Sequence, residues 1–161
     1  MFSLLRPDIE VGSVVDVTEE KLRAAGVGAL LLDVDCTLKR YGSVELLPGV
    51  VDWLVQMREA EIGLHLISNG GGARIRQFAD NLQIPFIAPA MKPLPFAIWR
   101  AIRIMKRDKK SIAMVGDQLF TDILAGKLAG VLTILVKPQG ENEEPWFARI
   151  KRPFEKFLLK R

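Results

Sequence analysis

The 161-residue chain contains a single cysteine and a single histidine, and no apolar run approaches the roughly 20 residues of a membrane-spanning helix. One cysteine excludes an intramolecular disulfide framework and a zinc site built from cysteines, which favours a reducing, cytoplasmic compartment. The charge excess is small, with 23 Lys and Arg against 19 Asp and Glu. Hydrophobic residues make up 49% and charged residues 26%, a balance that excludes a largely disordered chain.

Apolar runs alternate with amphipathic stretches, which predicts an α/β fold whose central parallel sheet is covered by helices on both faces. We expect strands over residues 28–34, 62–67, 84–88, 111–115 and 131–136. The helices between and before them are predicted over 18–25, 48–60, 73–82, 93 or 95 to 106, and 119–129. The predicted organisation is one domain over 1–161, with an N-terminal extension (1–27), a core (28–137) and a basic amphipathic C-terminal segment (145–161).

Polar side chains follow several of these strands, where ligands bind in parallel sheets. Asp33 and Asp35 come after the first strand, and Asp117 and Asp122 come after the fourth. Hard oxygen donors without a nearby histidine suit Mg²⁺. Taken alone, the same carboxylates are equally compatible with caps of the following loop and helix.

The motifs together resemble those of the haloacid dehalogenase (HAD) phosphatases. They are Asp33-Val34-Asp35-Cys36-Thr37, Ser68-Asn69, Lys92, and Gly116-Asp117 followed by Asp122, and they occur in that order over residues 30–136. The resemblance implies a Rossmann-like three-layer sandwich and a Mg²⁺-dependent hydrolase of phosphomonoesters.

The resemblance also implies a role for each acidic residue. Asp33 would attack phosphorus and form an aspartyl-phosphate, and Asp35 would protonate the leaving alcohol and then activate water. Mg²⁺ would be held by the Asp33 side chain, the Asp35 backbone carbonyl and Asp117. Asp122 would orient a metal-bound water or the lysine of the site.

Three further motif residues are expected to contact the transferring phosphoryl group: the Ser68 hydroxyl, the Asn69 backbone amide and the Lys92 ammonium. The Thr37 hydroxyl is expected to steady the loop after the first strand. An ordinary solvated lysine is the alternative interpretation of Lys92. We interpret Cys36 as a small spacer and His65, inside a predicted strand, as structural.

The spacing of the motifs predicts a capless enzyme. The two connections in which such enzymes carry a cap, 37–68 and 68–92, already hold a helix and a strand each, whereas a cap with its own core needs about 50 residues. An open site favours a macromolecule or a lipid headgroup as the phosphorylated substrate. The basic segment 145–161 and the basic cluster 100–110 are compatible with an anionic membrane, but also with core packing and a solvated face.

The N-terminal residues resemble the YqeG-like branch, which includes phosphatidylglycerophosphate phosphatases. Leu5-Arg6-Pro7 precedes 14–17 (VVDV), and Gly26-Val27 precedes the catalytic strand. Cys36 departs from this branch, which commonly has asparagine there. The resemblance therefore implies a phosphatase for phosphatidylglycerophosphate in phospholipid synthesis. The alternatives are a phosphatase for a soluble sugar or nucleotide phosphate and a non-catalytic binding module that recruits a partner or RNA. We expect no nucleic acid partner, and the sequence does not give the oligomeric state.

Overall fold

Six parallel strands form the central sheet in the computed structural model, which describes residues 2–139. The sheet order is β1-β6-β5-β2-β3-β4. The strands are β1 (Ile9–Val11), β2 (Ala29–Leu32), β3 (Gly63–Ile67), β4 (Phe86–Ile87), β5 (Ile112–Gly116) and β6 (Leu132–Val136). β2 and β5 are buried along their whole length, as expected for the centre of a sheet with two covered faces.

Helices cover the two faces of this sheet. They are α1 (Glu19–Ala24), α2 (Val50–Glu59), α3 (Gly72–Leu82), α4 (Phe96–Met105) and α5 (Leu124–Ala129). Thr18 caps α1 by accepting a hydrogen bond from the Lys21 amide at 3.4 Å. Gly130 ends α5 in the left-handed conformation, as glycine commonly does at a helix C-terminus.

Alternate residues of β2 belong to two hydrophobic cores, because successive side chains of a strand point to opposite faces. Leu30 and Leu32 pack in the core under α2 and α3. Ala29 and Leu31 pack in the core under α4 and α5. The molecule therefore has three layers, as the sequence predicts.

The order in which the chain adds strands to the sheet reverses beside β2, which pairs with β3 on one side and with β5 on the other. In an open parallel sheet, the crevice at such a point is where ligands bind, outside the carboxyl ends of the strands. β2 ends at Leu32, so the next residues, beginning with Asp33, lie at this crevice.

Three elements differ from the sequence predictions. β1 is an additional edge strand, paired with β6, in the N-terminal extension; its three residues give too little pattern to detect. The helix predicted over 119–129, after β5, begins as a π-helical turn, Leu119–Ile123, and becomes α-helical only at Leu124. The strand predicted over 84–88 is shorter in the structure, Phe86–Ile87. Pro85 and Pro89 flank it, and proline has no amide hydrogen to donate to a neighbouring strand.

Within residues 33–111, the connections between strands contain α2, α3, α4 and short turns, without an independent cap domain. None of the helices in residues 2–139 has the length and apolarity required to cross a membrane. The predicted amphipathic segment 145–161 lies outside the described residues.

Candidate active site

Three carboxylates from two strand ends meet at the crevice beside β2. Asp33 continues β2, with its amide bonded to the Val115 carbonyl at 2.9 Å, and Asp117 directly follows β5. Asp122 comes from the π-helical turn after β5. One carboxylate oxygen of each lies within 4.8 Å of the others, and all three residues are buried. We call Asp33, Asp117 and Asp122 the carboxylate cluster.

Lys92 reaches this cluster from the segment after β4. Its ammonium, buried at 2% side-chain exposure, donates to Asp33 Oδ1 at 2.7 Å, to Asp122 Oδ1 at 2.6 Å and to the Ile67 carbonyl at 2.8 Å. Burial lowers the pKa of the Lys92 ammonium, but the charges of Asp122 and Asp33 outweigh burial and hold that pKa above its usual range. The structure thus excludes a solvated lysine at this position.

A cation fits the carboxylate cluster. When ionised, its three carboxylates face the single positive charge of Lys92, which leaves a net charge of −2. Burial raises the pKa of Asp33 to about 7, and the neighbouring Asp122 adds to the rise although Lys92 opposes it. A carboxylate whose charge is this poorly compensated is stabilised by a nearby cation, and oxygen-only donors match the preference of Mg²⁺.

Glycine is required at position 116, the last residue of β5. A Cβ atom there would overlap the carboxylate carbon of Asp122. Asp122 turns back over this glycine, and its Oδ2 accepts a hydrogen bond from the Gln118 amide at 3.1 Å. The Gly-Asp motif therefore provides both a carboxylate and the space in which a second carboxylate can approach Lys92.

The Ser68-Asn69 motif follows β3 and packs beside Lys92. The Asn69 side chain donates to the Lys92 carbonyl at 2.9 Å and accepts from the Lys92 amide at 2.8 Å, so it fixes the backbone from which the lysine projects. The Ser68 hydroxyl is buried and accepts a hydrogen bond from the Gly70 amide at 3.1 Å. As a hydroxyl, it retains a proton with which to donate.

Asp35 lies apart from the cluster in a separate ion-pair network. Its carboxylate accepts from the Lys39 ammonium at 2.6 Å and from the two terminal nitrogens of Arg74 at 3.0 and 2.7 Å. Burial raises the pKa of Asp35, but the hydrogen bonds from Arg74 and Lys39 prevail and lower it. Lys39 is buried and lies 5.8 Å from the ring centre of Phe78, whereas the Arg74 side chain is 43% exposed.

The loop after β2 corrects one prediction. The Thr37 hydroxyl is buried and has no hydrogen-bond partner within residues 2–139, so it does not steady the loop. Backbone hydrogen bonds do so instead, from the Cys36 amide to Lys39 at 2.7 Å and from Leu38 to Val34 at 3.0 Å. A side-chain hydroxyl is not needed when the turn closes through its own main chain.

Cys36 is fully buried and adopts φ +63°. Residues other than glycine adopt this left-handed region uncommonly, and asparagine is among those enriched in it. His65 is buried in β3, where its Nδ1 lies 3.1 Å from the Leu66 carbonyl and burial lowers its pKa. Its contacts are those of a structural histidine.

Comparisons with known proteins agree with this geometry. The chain is 35% identical over 153 residues to the "Probable phosphatase YqeG" of Bacillus subtilis (strain 168), an alignment that covers 95% of this chain and 88% of that protein. A family model described as HAD-hydrolase-like matches residues 90–155. The chain belongs to the YqeG-like HAD phosphatases.

Two further similarities are more distant. The chain is 27% identical over 169 residues to the chloroplastic phosphatidylglycerophosphate phosphatase 1 of Chlamydomonas reinhardtii, covering 99% of this chain and 62% of that protein. The cobalt-bound deoxy-D-mannose-octulosonate 8-phosphate phosphatase of Haemophilus influenzae superposes with a TM-score of 0.58 at 14% identity, over 87% of this chain and 90% of that one. This YqeG-like protein is thus a HAD-fold phosphatase, a hydrolase of phosphoric monoesters.

Sequence reasoning missed Arg74, Lys39 and the amide pairing of Asn69. The position of Arg74 gives a signal that sequence reasoning could have used. A cation in the first turn of α3 interacts unfavourably with the positive end of the helix dipole, so an anion nearby is expected. Nothing in the spacing of the YqeG-like motifs identifies that anion as Asp35, which lies 39 residues away.

Proposed function

We propose that this YqeG-like phosphatase removes the terminal phosphate of phosphatidylglycerophosphate at a membrane surface. The approach of Lys92 to Asp33 and Asp122 within the buried carboxylate cluster is the observation that carries the catalytic part of the proposal. The similarity to the Chlamydomonas enzyme supports the lipid substrate. The absence of a cap domain from residues 33–111 also suits a bulky substrate that stays in its bilayer.

The first step of the proposed reaction transfers the phosphoryl group to Asp33. An oxygen of the Asp33 carboxylate forms a bond to phosphorus as the bond from phosphorus to the leaving glycerol oxygen breaks. That oxygen takes a proton from the protonated Asp35 carboxyl group, which releases the alcohol. Water then attacks the aspartyl-phosphate and gives its proton to Asp35, so inorganic phosphate leaves and Asp33 is regenerated.

The acid role of Asp35 requires Arg74 to change partner. In the structure, Arg74 and Lys39 hold Asp35 as a carboxylate. The Arg74 side chain is 43% exposed, so an incoming anionic substrate can accept hydrogen bonds from its guanidinium in place of Asp35. We therefore assign Arg74 to substrate binding on the leaving-group side, with buried Lys39 holding Asp35 in position.

The phosphoryl oxygens would be held by Ser68, the Asn69 backbone amide and Lys92. Lys92 supplies a compact positive charge, and its position is fixed by Asp122 and by the Asn69 side chain. The Ser68 and Asn69 donors are placed before the substrate arrives, so they stabilise developing negative charge without reorganisation. Lys92 donates its three protons to Asp33, Asp122 and the Ile67 carbonyl, so it exchanges one of these partners when it binds a phosphoryl oxygen.

Mg²⁺ would be held by Asp33 and Asp117, together with the backbone carbonyl of Asp35. Asp122 is the poorer ligand, because its two oxygens already accept hydrogen bonds from Lys92 and Gln118. When bound, the ion supplies positive charge that offsets repulsion between the Asp33 carboxylate and the phosphate.

The test is phosphate release from phosphatidylglycerophosphate in mixed micelles, with Mg²⁺ and with a chelator. Wild type should release phosphate only with the metal, and Asp33→Asn should lower kcat by about three orders of magnitude or more, because it removes the nucleophile. Asp80→Asn, an exposed carboxylate of α3, is the matched control and should retain wild-type activity.

Soluble sugar and nucleotide phosphates belong in the same assay. Faster turnover of a soluble ester than of the lipid would refute the substrate assignment but keep the phosphatase. Full activity of Asp33→Asn would refute the assigned nucleophile.

A further inference from the structure

Helix α4 exposes one continuous stripe of residues. They recur with the spacing i, i+3, i+4, i+7 and i+8, which is a single helix face: Phe96, Trp99, Arg100, Arg103 and Ile104. The opposite face, with Ala97, Ile98 and Ala101, packs into the core beneath. We call the exposed set the α4 stripe.

The α4 stripe is unusually apolar for a solvent-facing surface. Phe96 is 61% exposed, Ile104 is 52% exposed and Trp99 is 45% exposed. The two aromatic rings contact each other edge to face, with 5.7 Å between their centres. Met91 and Leu94, exposed in the turn before α4, extend the apolar surface. Large exposed apolar patches of this kind mark interaction sites.

Most of the charges in the chain segment around this apolar surface are positive. α4 contains two arginines and no acidic residue. Between Met91 and Gly116 the only acidic residue is Asp108, whereas exposed basic residues occur at 100, 103, 106, 107, 109 and 110. A surface on which apolar and aromatic side chains alternate with basic ones is complementary to an anionic lipid bilayer, which has charged headgroups above an apolar interior.

The α4 stripe begins next to the catalytic centre. Phe96 is four residues after Lys92, so its backbone lies within about 14 Å of the lysine that contacts Asp33. Met91 is the immediate neighbour of Lys92. A surface that binds the Phe96 end of the α4 stripe is therefore held within the length of a lipid headgroup and glycerol backbone from the site.

We propose that the α4 stripe and the preceding Met91–Leu94 turn form a docking surface for an anionic phospholipid bilayer. Phe96, Trp99 and Ile104 enter the interface, and Arg100 and Arg103 pair with lipid phosphates. Docking positions the open crevice over headgroups that remain in the membrane. The inference deepens the proposed function and rests on it for the identity of the substrate, but the docking itself is measurable without catalysis.

The experiment is sedimentation of the full chain with large vesicles, in chelator so that no turnover occurs. The vesicles contain phosphatidylcholine alone or phosphatidylcholine with phosphatidylglycerol. The wild-type protein should sediment with the anionic vesicles and dissociate from them at high salt, which screens the attraction between arginine and lipid phosphate. Phe96→Ser with Trp99→Ser should weaken binding about tenfold or more, and Arg100→Gln with Arg103→Gln should weaken it by a similar factor on anionic vesicles only.

The matched control is Val51→Ser with Val55→Ser, which removes two exposed apolar side chains from α2 on the other face of the sheet. The control should bind like wild type, and circular dichroism should show all variants folded. Asp33→Asn should still bind vesicles, which separates failure of docking from failure of catalysis.

Three results would overturn the proposal. The first is no binding of wild type to anionic vesicles. The second is equal binding by the Phe96→Ser/Trp99→Ser variant, which would place any membrane contact elsewhere, such as in segment 145–161. The third is a wild-type dimer that the same variant converts to monomer, since the α4 stripe would then be an interface between two copies of the chain.

Discussion

Replacing Lys92 with methionine tests the electrostatic design of the site without changing its shape much. The substitution removes the charge that contacts Asp33 and Asp122 at 2.7 and 2.6 Å and leaves both carboxylates buried. Breaking a buried ion pair by deleting one partner costs about 3–5 kcal/mol. We expect the free energy of unfolding to fall by that amount near pH 8 in chelator, measured by urea denaturation.

The loss should shrink as the pH is lowered. Burial already raises the pKa of Asp33 to about 7, and removing the positive charge of Lys92 raises it further above its unfolded value of about 4, so ionised Asp33 destabilises the fold increasingly as the pH rises. Near pH 5 the Asp33 carboxylate takes up a proton, and part of the penalty disappears. Adding Asp122→Asn to Lys92→Met should restore part of the stability near pH 8.

Lys110→Met is the matched control, because this lysine is exposed and should change stability by less than about 0.5 kcal/mol. A loss below about 1 kcal/mol for Lys92→Met near pH 8, or a loss that does not vary with pH, would refute the reasoning.

Three further predictions concern other parts of the molecule. Gly116→Ala should lower stability by about 1–3 kcal/mol and abolish phosphate release, because its methyl group overlaps the Asp122 carboxylate; normal activity would contradict the packing. Burial raises the pKa of Asp8, but hydrogen bonds from Lys127 and Thr133 outweigh burial and lower that pKa. Asp8→Asn should therefore lower the free energy of unfolding by about 0.5–1 kcal/mol at pH 7, measured by urea denaturation, and should not change it near pH 2, where Asp8 is protonated. Arg74→Ala should lower kcat/KM about tenfold or more with partial recovery in Arg74→Lys, and an unchanged value would exclude substrate contact.

The positions of Asp33 and Asp117 in the carboxylate cluster were predictable because one rule governs them. Parallel strands present their carboxyl ends at a common edge, so residues that follow different strands meet there although they are far apart in sequence. Asp33 and Asp117 are brought together in this way. The buried strands β2 and β5 were equally recognisable from their continuous apolar runs.

Contacts that depend on how a helix sits on the sheet were not predictable. Arg74 reaches Asp35 only because α3 begins beside the loop after β2, and no periodicity of either segment encodes that approach. The sequence suggests a loop-stabilising hydrogen bond from the Thr37 hydroxyl, but main-chain hydrogen bonds close this turn and the hydroxyl makes none within residues 2–139. β1 was missed because a strand of three residues owes its existence to pairing with β6 and not to its own pattern.

Trapping of the reaction intermediate tests the central claim most directly. The protein is quenched in acid during turnover of phosphatidylglycerophosphate with Mg²⁺, digested, and examined by peptide mass spectrometry. The account predicts a phosphoryl group on Asp33 that base or hydroxylamine removes and that is missing when chelator replaces the metal. Turnover with the phosphoryl group on another residue, or with no phosphorylated peptide in a quench that captures the steady state, would contradict it.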